Sequence, residues 1–157
     1  MAENIPRSTL ALVERPDSFM LQQRPNLPGR LAYAGKIHFF GRGVEAGEHP
    51  YAALRRELLA EELSAPGWDL SDDVPEPLWE GKFSGENKRG EPVLRHITLY
   101  GLEMPGYIQA VPSEAEGGDI VYIPKNAGAI EVYREEMAPF AFEALTSYVR
   151  TGHVLIS

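Results

Sequence analysis

The chain of 157 residues contains no cysteine, which excludes a disulfide framework, a zinc–thiolate site and a cysteine nucleophile. It also lacks a long hydrophobic run, since no stretch approaches the ~18 apolar residues of a membrane-spanning helix. Its first residues, MAENIPRSTLALVERPD, show no basic region followed by a long apolar segment, so no signal peptide is expected. These absences favour a cytoplasmic protein without a membrane role.

Basic residues are the minority, because 15 Lys and Arg stand against 23 Asp and Glu and give a formal net charge of −8. A uniformly basic face for duplex nucleic acid is therefore not expected. An acidic protein still handles a phosphorylated small molecule when bound cations reverse the local field. The composition, with 43% hydrophobic and 24% charged residues, is ordinary for a globular protein. We expect residues 1–157 to form a single domain.

Short apolar and β-branched segments recur along the chain and predict strands. These segments are 8–15, 18–24, 36–40, 78–83, 93–103 and 119–124. Two helices are expected, one from about His49 to Leu63 and one from about Arg134 to Val149. Pro50 lies in the first turn of the earlier helix, a position that proline tolerates well. Strands mixed with two helices predict a layered α/β sandwich.

A glycine-rich loop and the first helix carry a concentration of carboxylates in GRGVEAGEHPYAALRRELLAEEL, residues 41–63. Glu57 and Glu61 are four positions apart, which is about 40° around a helix axis, so they project from the same face. Two such carboxylates repel one another unless a cation lies between them, and oxygen ligands suit Mg²⁺ or Mn²⁺. The alternative is a solvated helix in which the glutamates pair with Arg55 and Arg56 as surface ion pairs.

The spacing of these residues resembles the signature of the Nudix hydrolases, GX5EX7REUXEEXGU, in which U is a bulky aliphatic residue. Glu48, seven intervening residues, and then Arg56, Glu57 and Leu58 match its central part. The segments FMLQQRPNLPGRLAYAGKIHFFG and EAEGGDIVYIP resemble the stretches that precede and follow the signature in such domains. The resemblance covers most of the chain. It implies a Nudix-type α/β/α sandwich with a mixed central sheet.

Three positions depart from the signature, namely Arg42 at the first glycine, Ala60 at the first glutamate of the final pair and Leu63 at the last glycine. Members of the family use three helix carboxylates as metal ligands, of which Glu57 and Glu61 remain in register here. Shifting the pair to Glu61 and Glu62 requires a helix bulge, since Glu62 lies about 140° from Glu57 around the axis. The ungapped register thus implies a metal site with one ligand fewer.

The resemblance implies a hydrolase that cleaves a diphosphate linkage in a nucleoside diphosphate derivative with metal-activated water. Mg²⁺, or alternatively Mn²⁺, would be held by Glu57 and Glu61, and Arg56 would orient the carboxylates through charge-assisted bonds. In the family a further glutamate on a late loop binds metal or acts as general base. Glu116 is the candidate for this role in the present sequence, and Glu114 is the next candidate.

Other residues are predicted to support the site. The supporting loop residues are predicted to be Gly41, Glu45, Glu48 and Glu114. Candidate contacts to an anionic substrate are Arg24, Lys36, Arg42 and the polar tip at 87–89. The departures from the signature leave a second interpretation, a catalytically impaired Nudix-fold module that binds a nucleotide or a protein partner. A homodimer is a further expectation, because many relatives form one.

Overall fold

The computed structural model of the protein describes residues 5–59, 63–112 and 118–156. Its strands are β1 (Arg7–Glu14), β2 (Ser18–Gln23), β3 (Ile37–His38), β4 (Phe40–Gly43), β5 (Leu63–Ser64), β6 (Trp79–Glu86), β7 (Pro92–Glu103), β8 (Val111–Pro112) and β9 (Asp119–Pro124). Its helices are α1 (Pro50–Glu57), α2 (Ala127–Val132) and α3 (Pro139–Thr151), with a 3₁₀ helix at Arg134–Glu136. None of the helices in these three ranges is both long and apolar enough to cross a membrane.

One mixed sheet forms the centre of the fold, with the strand order β3-β2-β1-β7-β6. β1 pairs in parallel with β7 along its whole length, from Arg7 opposite His96 to Glu14 opposite Glu103. The pairs β1–β2, β1–β4, β2–β3, β2–β9 and β6–β7 are antiparallel. β5 and β8 form a separate two-stranded sheet. A mixed sheet flanked by helices is the fold class that the sequence predicts.

Alternation along β1 explains how both faces of the sheet become buried. Leu10 and Leu12 pack into a core that includes α3, whereas Ala11 and Val13 pack into a core that includes α1. Successive side chains of a strand point to opposite faces, so a continuous apolar strand supplies both cores. Full burial of a leucine side chain contributes roughly 1.5–3 kcal/mol. The two cores therefore hold α1 and α3 on opposite sides of the central sheet.

The start of α1 follows the sequence prediction. His49 caps the helix, because its Nδ1 accepts a hydrogen bond from the Tyr51 N–H at 3.1 Å. Pro50 follows at the first helical position, where a missing N–H costs nothing. Tyr51 and Leu54 are buried against the sheet and set the orientation of the helix.

The end of α1 differs from the prediction of a helix to about Leu63. α-Helical geometry ends at Glu57, and residues 58 and 59 continue in π-helical conformation. A π turn closes its hydrogen bond over five residues instead of four, so it absorbs one additional residue and rotates the side chains that follow. Residues 60–62 lie outside the described ranges. The change in helix geometry bears on the register of the predicted metal ligands.

The closing helical segment is also more divided than the predicted helix from Arg134 to Val149. α2 and the 3₁₀ helix precede α3, which runs from Pro139 to Thr151. Asn126 caps the N-terminus of α2, because its side-chain oxygen accepts a hydrogen bond from the Ala129 N–H at 2.8 Å. α3 then packs its apolar stripe onto the sheet as the sequence indicates.

Candidate active site

Arg56 ties the loop between β4 and α1 to the helix. It donates from Nε to Glu48 Oε2 at 3.2 Å and from Nη2 to Glu48 Oε1 at 3.3 Å, a two-point contact. Its Nη1 donates to Glu57 Oε1 at 2.8 Å. The hydrogen bond from Arg56 is the main reason that the pKa of Glu48 lies below its ordinary value. Arg56 thus orients two carboxylates at once, which is the geometry that its predicted positioning role requires.

Glu57 is the buried carboxylate of this group, with 6% of the residue exposed at the end of α1. Its Oε1 accepts from Arg56, and its Oε2 lies 3.6 Å from Arg42 Nε. A buried carboxylate is costly unless opposite charge compensates it, and the two guanidinium groups do so here. Arg42 stands where the Nudix signature has glycine. Its side chain therefore reaches the glutamate that the resemblance assigns to the metal.

The supporting loop has the compact turn that its glycines predict. The Glu45 N–H donates to Glu48 Oε1 at 3.2 Å, and the Glu48 N–H donates to the Glu45 carbonyl at 3.1 Å. The prediction is wrong for Gly41, which lies within β4 and not in the loop; it adopts a φ of 132° and pairs with Leu10 of β1. A Cβ at Gly41 would overlap the Thr9 carbonyl oxygen, so only glycine allows this close strand approach.

A cavity of about 230 Å³ lies beside these charges. Its wall combines residues of β1, β6, β7 and α3 with the loop from 24 to 36. Gly41, Arg42 and Gly43 also line it. Arg42 also contacts Glu57, so its side chain connects the cavity lining to the buried carboxylate.

The loop from 24 to 36 is docked on the β6–β7 hairpin and closes one side of the cavity. The Gly29 N–H donates to the Lys88 carbonyl at 3.2 Å. The Tyr33 hydroxyl accepts a hydrogen bond from the Glu86 N–H at 3.0 Å. Tyr33 has a φ of 54°, in the left-handed region that non-glycine residues rarely adopt. Long-range contacts therefore hold a strained loop residue at the cavity wall.

His38 supplies a neutral imidazole to the same wall. Burial is the main cause that lowers its pKa well below the ordinary value, and the charges of Arg24 and Arg95 lower it further. Its Nδ1 accepts from the Phe39 N–H at 2.8 Å, so the neutral ring carries its proton on Nε2. The Tyr33 ring packs edge-on against it with 5.2 Å between ring centroids.

Some of the predicted substrate contacts line the cavity in the structure, and one does not. Arg24 and Arg42 line the cavity, and the tip at 87–89 contributes Lys88 to the lining. Arg24 also donates from Nη1 to the Ala32 carbonyl at 3.0 Å. Lys36 lies outside the cavity lining, and its Nζ donates to the Glu135 carbonyl at 2.8 Å. Its role as a substrate contact stays a prediction.

Several predicted site residues fall outside the described residues, namely Glu61, Glu114, Glu116 and the departure at Ala60. Within the part of the chain that the structure describes, no group of three or more His, Cys, Asp or Glu side chains could hold a metal ion. Glu57 carries a hard oxygen ligand of the type that Mg²⁺ and Mn²⁺ prefer, as do Glu45 and Glu48 in the adjoining loop.

Sequence reasoning missed three residues of the cavity wall, Tyr33, His38 and Arg95. Arg95 carried a recognisable signal, since it is in phase with the buried Ile97 and Leu99 on β7. A charge on the core-facing side of an alternating strand is unusual and indicates a special environment. Tyr33 offered no such signal, because its place depends on contacts with the distant β6–β7 hairpin.

No protein-family model matches the sequence, and a comparison with curated proteins finds no match. Among solved structures, a bifunctional NMN adenylyltransferase/ADP ribose pyrophosphatase from Francisella tularensis matches with a TM-score of 0.66 and 19% identity, over 96% of this chain and 42% of that chain. The present chain thus spans about two fifths of the length of that protein. A structure of the same bifunctional protein complexed with AMP and a manganese ion matches with a TM-score of 0.64 and 18% identity, over 95% of this chain and 42% of that chain.

Two further solved structures match over most of their own length. The MutT protein from Bacillus halodurans gives a TM-score of 0.63 at 16% identity, with 96% of this chain and 86% of that chain covered. A Nudix-family hydrolase from Clostridium perfringens matches with a TM-score of 0.61 and 13% identity, over 94% of this chain and 98% of that chain. Identities this low show the fold and not the activity. The sequence resemblance is thus confirmed at the level of architecture, and the chain has the fold of the MutT/Nudix hydrolases.

Proposed function

We propose that this protein is a Nudix-type hydrolase that cleaves a diphosphate linkage in a nucleoside diphosphate derivative. The observation that carries the proposal is the buried Glu57, held between Arg42 and Arg56 beside a cation-lined cavity. The matching positions of the signature, in a chain with the fold of the MutT/Nudix hydrolases, supply the reaction type.

Glu57 and Glu61 would hold Mg²⁺ or Mn²⁺, which lowers the pKa of a bound water and offsets charge on phosphoryl oxygens. The oxygen of a water molecule attacks one phosphorus of the diphosphate, and the bond from that phosphorus to the bridging oxygen breaks. The bridging oxygen leaves on the other phosphorus, so a pair of phosphate monoesters is released from a diester of diphosphate. Glu116, or Glu114 in its place, would take the proton from the attacking water. Arg56 keeps Glu57 in a fixed orientation throughout.

A turnover assay tests the proposal directly. The purified protein is incubated with nucleoside triphosphates, nucleotide sugars including ADP-ribose, and dinucleotides, each with Mg²⁺, with Mn²⁺ and with chelator. Glu57→Gln is expected to lower kcat/KM by about a hundredfold or more, since even outer residues of metal sites contribute factors of this order. Glu143→Gln, which changes an exposed carboxylate of α3, is the matched control. Metal-independent turnover, or turnover unchanged in Glu57→Gln, would contradict the proposal.

The π-helical conformation after Glu57 makes the second ligand a separate question. In a continuous α-helix Glu61 shares the face of Glu57, whereas a five-residue π turn brings Glu62 to that direction. We compare Glu61→Gln with Glu62→Gln at equal metal concentrations. The variant that removes the ligand should weaken metal binding by about tenfold or more, and the other should change it little. A loss confined to Glu62→Gln would overturn the assignment of Glu61.

The general base is tested by the pH dependence of the reaction. In a metal-saturated assay, Glu116→Gln should remove the acidic limb of the kcat profile as well as lowering kcat, because the base must be deprotonated to act. Glu114→Gln is its neighbour control. If the acidic limb of the kcat profile disappears in Glu114→Gln and persists in Glu116→Gln, Glu114 is the general base and Glu116 is not.

A second candidate function is a non-catalytic module that binds a nucleotide. The observation in its favour is the ion pair between Arg42 Nε and Glu57 Oε2 at 3.6 Å, because this contact places a positive charge where a metal ion would bind. This candidate predicts saturable nucleotide binding that chelator does not change, and no turnover across the substrate panel. The expected homodimer is independent of both candidates and is tested by light scattering of the purified chain.

A further inference from the structure

β6 is an edge strand of the central sheet. It pairs with β7 from Trp79 opposite Leu99 to Glu86 opposite Pro92. The strand order places it at the end of the sheet, four strands away from β9 at the opposite edge. Among the strands that the structure describes, none pairs with its outer side. An edge strand presents a row of backbone donors and acceptors to which a further strand can bind.

The hydrogen bonds at the hairpin tip establish which backbone groups of β6 point outward. The Asn87 N–H donates to the Glu91 carbonyl, toward β7, at 2.9 Å. The Glu86 N–H instead donates to the Tyr33 hydroxyl, on the outer side, at 3.0 Å. Backbone groups of successive residues alternate between the two sides of a strand. The even-numbered residues of β6 therefore direct their N–H and C=O groups away from β7.

We propose that the outer edge of β6 binds β6 of a second copy of this chain, antiparallel and centred on Gly81. Even positions must face even positions in such a pair, because these residues carry the outward N–H and C=O groups. Centring on Gly81 brings Glu80 opposite Lys82 on both sides of the twofold axis. Opposite charges directly across from each other stabilise a strand pair. Both side chains are exposed in the single chain.

Neighbouring registers bring like charges together. Centring on Glu80 or on Lys82 places two identical charges opposite each other. Centring on Phe83 places Glu80 opposite Glu86. Like charges directly opposite are destabilising. Of these four registers, the one centred on Gly81 alone pairs opposite charges, so the charge pattern of β6 is complementary to itself.

The same register joins aromatic residues on the other face of the strand. Trp79 comes opposite Phe83, and both are half-buried in the single chain. Their rings pack on Phe140, with 5.4 and 5.1 Å between ring centroids. Odd positions form the non-hydrogen-bonded pairs with the added strand, in which side chains come closest. The second copy thus covers aromatic surface that the single chain leaves partly exposed.

The open part of the edge is long enough for this pairing. The loop from 24 to 36 occupies the far end, where the Glu86 N–H and the Lys88 carbonyl bond to Tyr33 and Gly29. A pair centred on Gly81 uses residues 79–83 and stays clear of these contacts. The side chain of Trp79 also lies over Gly81, where a Cβ would come within 2.9 Å of its ring. Only hydrogen atoms then stand on the twofold axis at this position.

Sedimentation equilibrium of the full chain over a concentration series tests the proposal, which does not depend on the proposed function. We expect a monomer–dimer equilibrium with a dissociation constant of about 100 µM or lower, because a short strand pair buries less surface than a standard interface. A chain that stays monomeric well above this concentration would overturn the proposal.

Reversal of charge tests the register. Glu80→Lys creates two lysine pairs in the dimer and Lys82→Glu creates two glutamate pairs, so each should weaken self-association by about tenfold or more. An equimolar mixture of the two variants should associate again, because a heterodimer has opposite charges at both contacts. Glu80→Lys also removes the hydrogen bond that Thr98 Oγ1 donates to Glu80 Oε2 at 3.1 Å, whereas Lys82→Glu leaves it in place. Circular dichroism verifies that both variants are folded.

Matched controls separate this contact from the overall charge. Glu143→Lys and Arg150→Glu make the same changes of charge at exposed positions of α3 and should leave the dissociation constant unchanged. Glu80→Lys reduces the net negative charge of −8, which by itself would favour association, so a loss in this variant must be local.

Three outcomes of the variant experiments would overturn the proposal. Association that persists in Glu80→Lys and Lys82→Glu would assign the dimer to another surface. Equal weakening in the α3 controls would attribute it to overall charge. Folded single variants that fail to associate when mixed would refute the register. If one β6 variant does not fold, the double variant Glu80→Lys/Lys82→Glu replaces the mixture and should associate as the unchanged chain does.

Discussion

Two groups of charged residues adjoin the same cavity, and they are organised differently. The Glu57 end consists of Glu48, Arg56, Glu57 and Arg42, in which each carboxylate contacts at least one guanidinium. The Arg95 end consists of Arg24, Tyr33, His38 and Arg95, in which cations face neutral donors. The first end pairs opposite charges, whereas the second groups two guanidinium side chains with neutral polar rings.

This difference teaches how the two ends should respond to perturbation. An internally paired cluster resists small changes, because the loss of one contact leaves others in place. A cluster that brings like charges together depends on the backbone that holds its members against their repulsion. Substitutions that move the backbone or add charge at the Arg95 end should therefore have larger effects than those that remove one pair at the Glu57 end.

The largest effect is expected from Gly41→Ala, which disturbs the strand that joins the two ends. The added Cβ would overlap the Thr9 carbonyl oxygen, and the φ of 132° is unfavourable for alanine. We expect a loss of roughly 3 kcal/mol or more in the free energy of unfolding, measured by urea denaturation. Gly43→Ala is the control, since the nearest atom to its Cβ would be the Arg7 carbonyl oxygen at 3.8 Å. Equal losses in the two variants would show that Gly41 has no special constraint.

The next effect is a pH dependence that arises at the Arg95 end. His38 has a pKa well below its ordinary value in the folded protein, so below about pH 6.5 the unfolded chain takes up a proton that the folded chain does not. Stability is therefore lost as the pH falls below about 6.5, by up to ~1.4 kcal/mol per pH unit, until the folded-state pKa is reached. Above about pH 6.5 the contribution of His38 to stability is constant, because the imidazole is neutral in both the folded and the unfolded chain. Tyr33 does not titrate in this range, because its pKa is raised.

His38→Gln tests the assignment of this pH dependence. The glutamine side chain does not titrate, so the variant should have a smaller slope of unfolding free energy between about pH 5 and pH 6.5. Urea denaturation at several pH values gives both slopes, and the constant difference above pH 7 corrects for lost packing. An unchanged slope would assign the proton uptake to other groups.

The elements that the sequence predicts best are those that depend on local patterns. The short apolar segment 119–124 predicts β9 with its observed bounds, and Pro50 marks the start of α1. The matching register of Glu48, Arg56 and Glu57 likewise brings these residues into contact, because they lie within one loop and helix. Contacts between residues that are close in sequence can be predicted from their spacing alone.

The Arg95 end could not be predicted in this way. Arg24 and Arg95 come together only after β1 and β7 have paired in parallel, which requires a long crossover of the chain. Tyr33 has a left-handed backbone conformation, and its hydroxyl accepts a hydrogen bond from Glu86, 53 positions away. The π-helical end of α1 is a further departure, since an apolar continuation of the helix gives no local signal for it. Non-local contacts override propensity at each of these positions.

A smaller effect is expected from Tyr33→Phe at the Arg95 end. The substitution removes the acceptor for the Glu86 N–H and leaves the edge-on ring contact with His38. We expect a loss of about 1 kcal/mol in the free energy of unfolding, the usual net contribution of one hydrogen bond. Because the loop from 24 to 36 is docked through this bond, amide exchange at Glu86 and in the loop should also increase. A change in stability without faster exchange would mean that the loop stays docked by its other contacts.

The smallest effect is expected at the Glu57 end from Arg42→Ala. The guanidinium of Arg42 lies 3.6 Å from Glu57 Oε2, on the carboxylate that the proposed function assigns to the metal, so its charge opposes the approach of a cation. Arg42 is more than one third exposed, and solvent screens its charge, so we expect Mn²⁺ to bind only about twofold to fivefold more tightly in the variant. Titration of the Mn²⁺ paramagnetic resonance signal measures this, with Arg30→Ala as the control for another cation of the cavity lining. Weaker Mn²⁺ binding in Arg42→Ala would reverse the interpretation, because Arg42 would then serve to hold Glu57 in its ligand orientation.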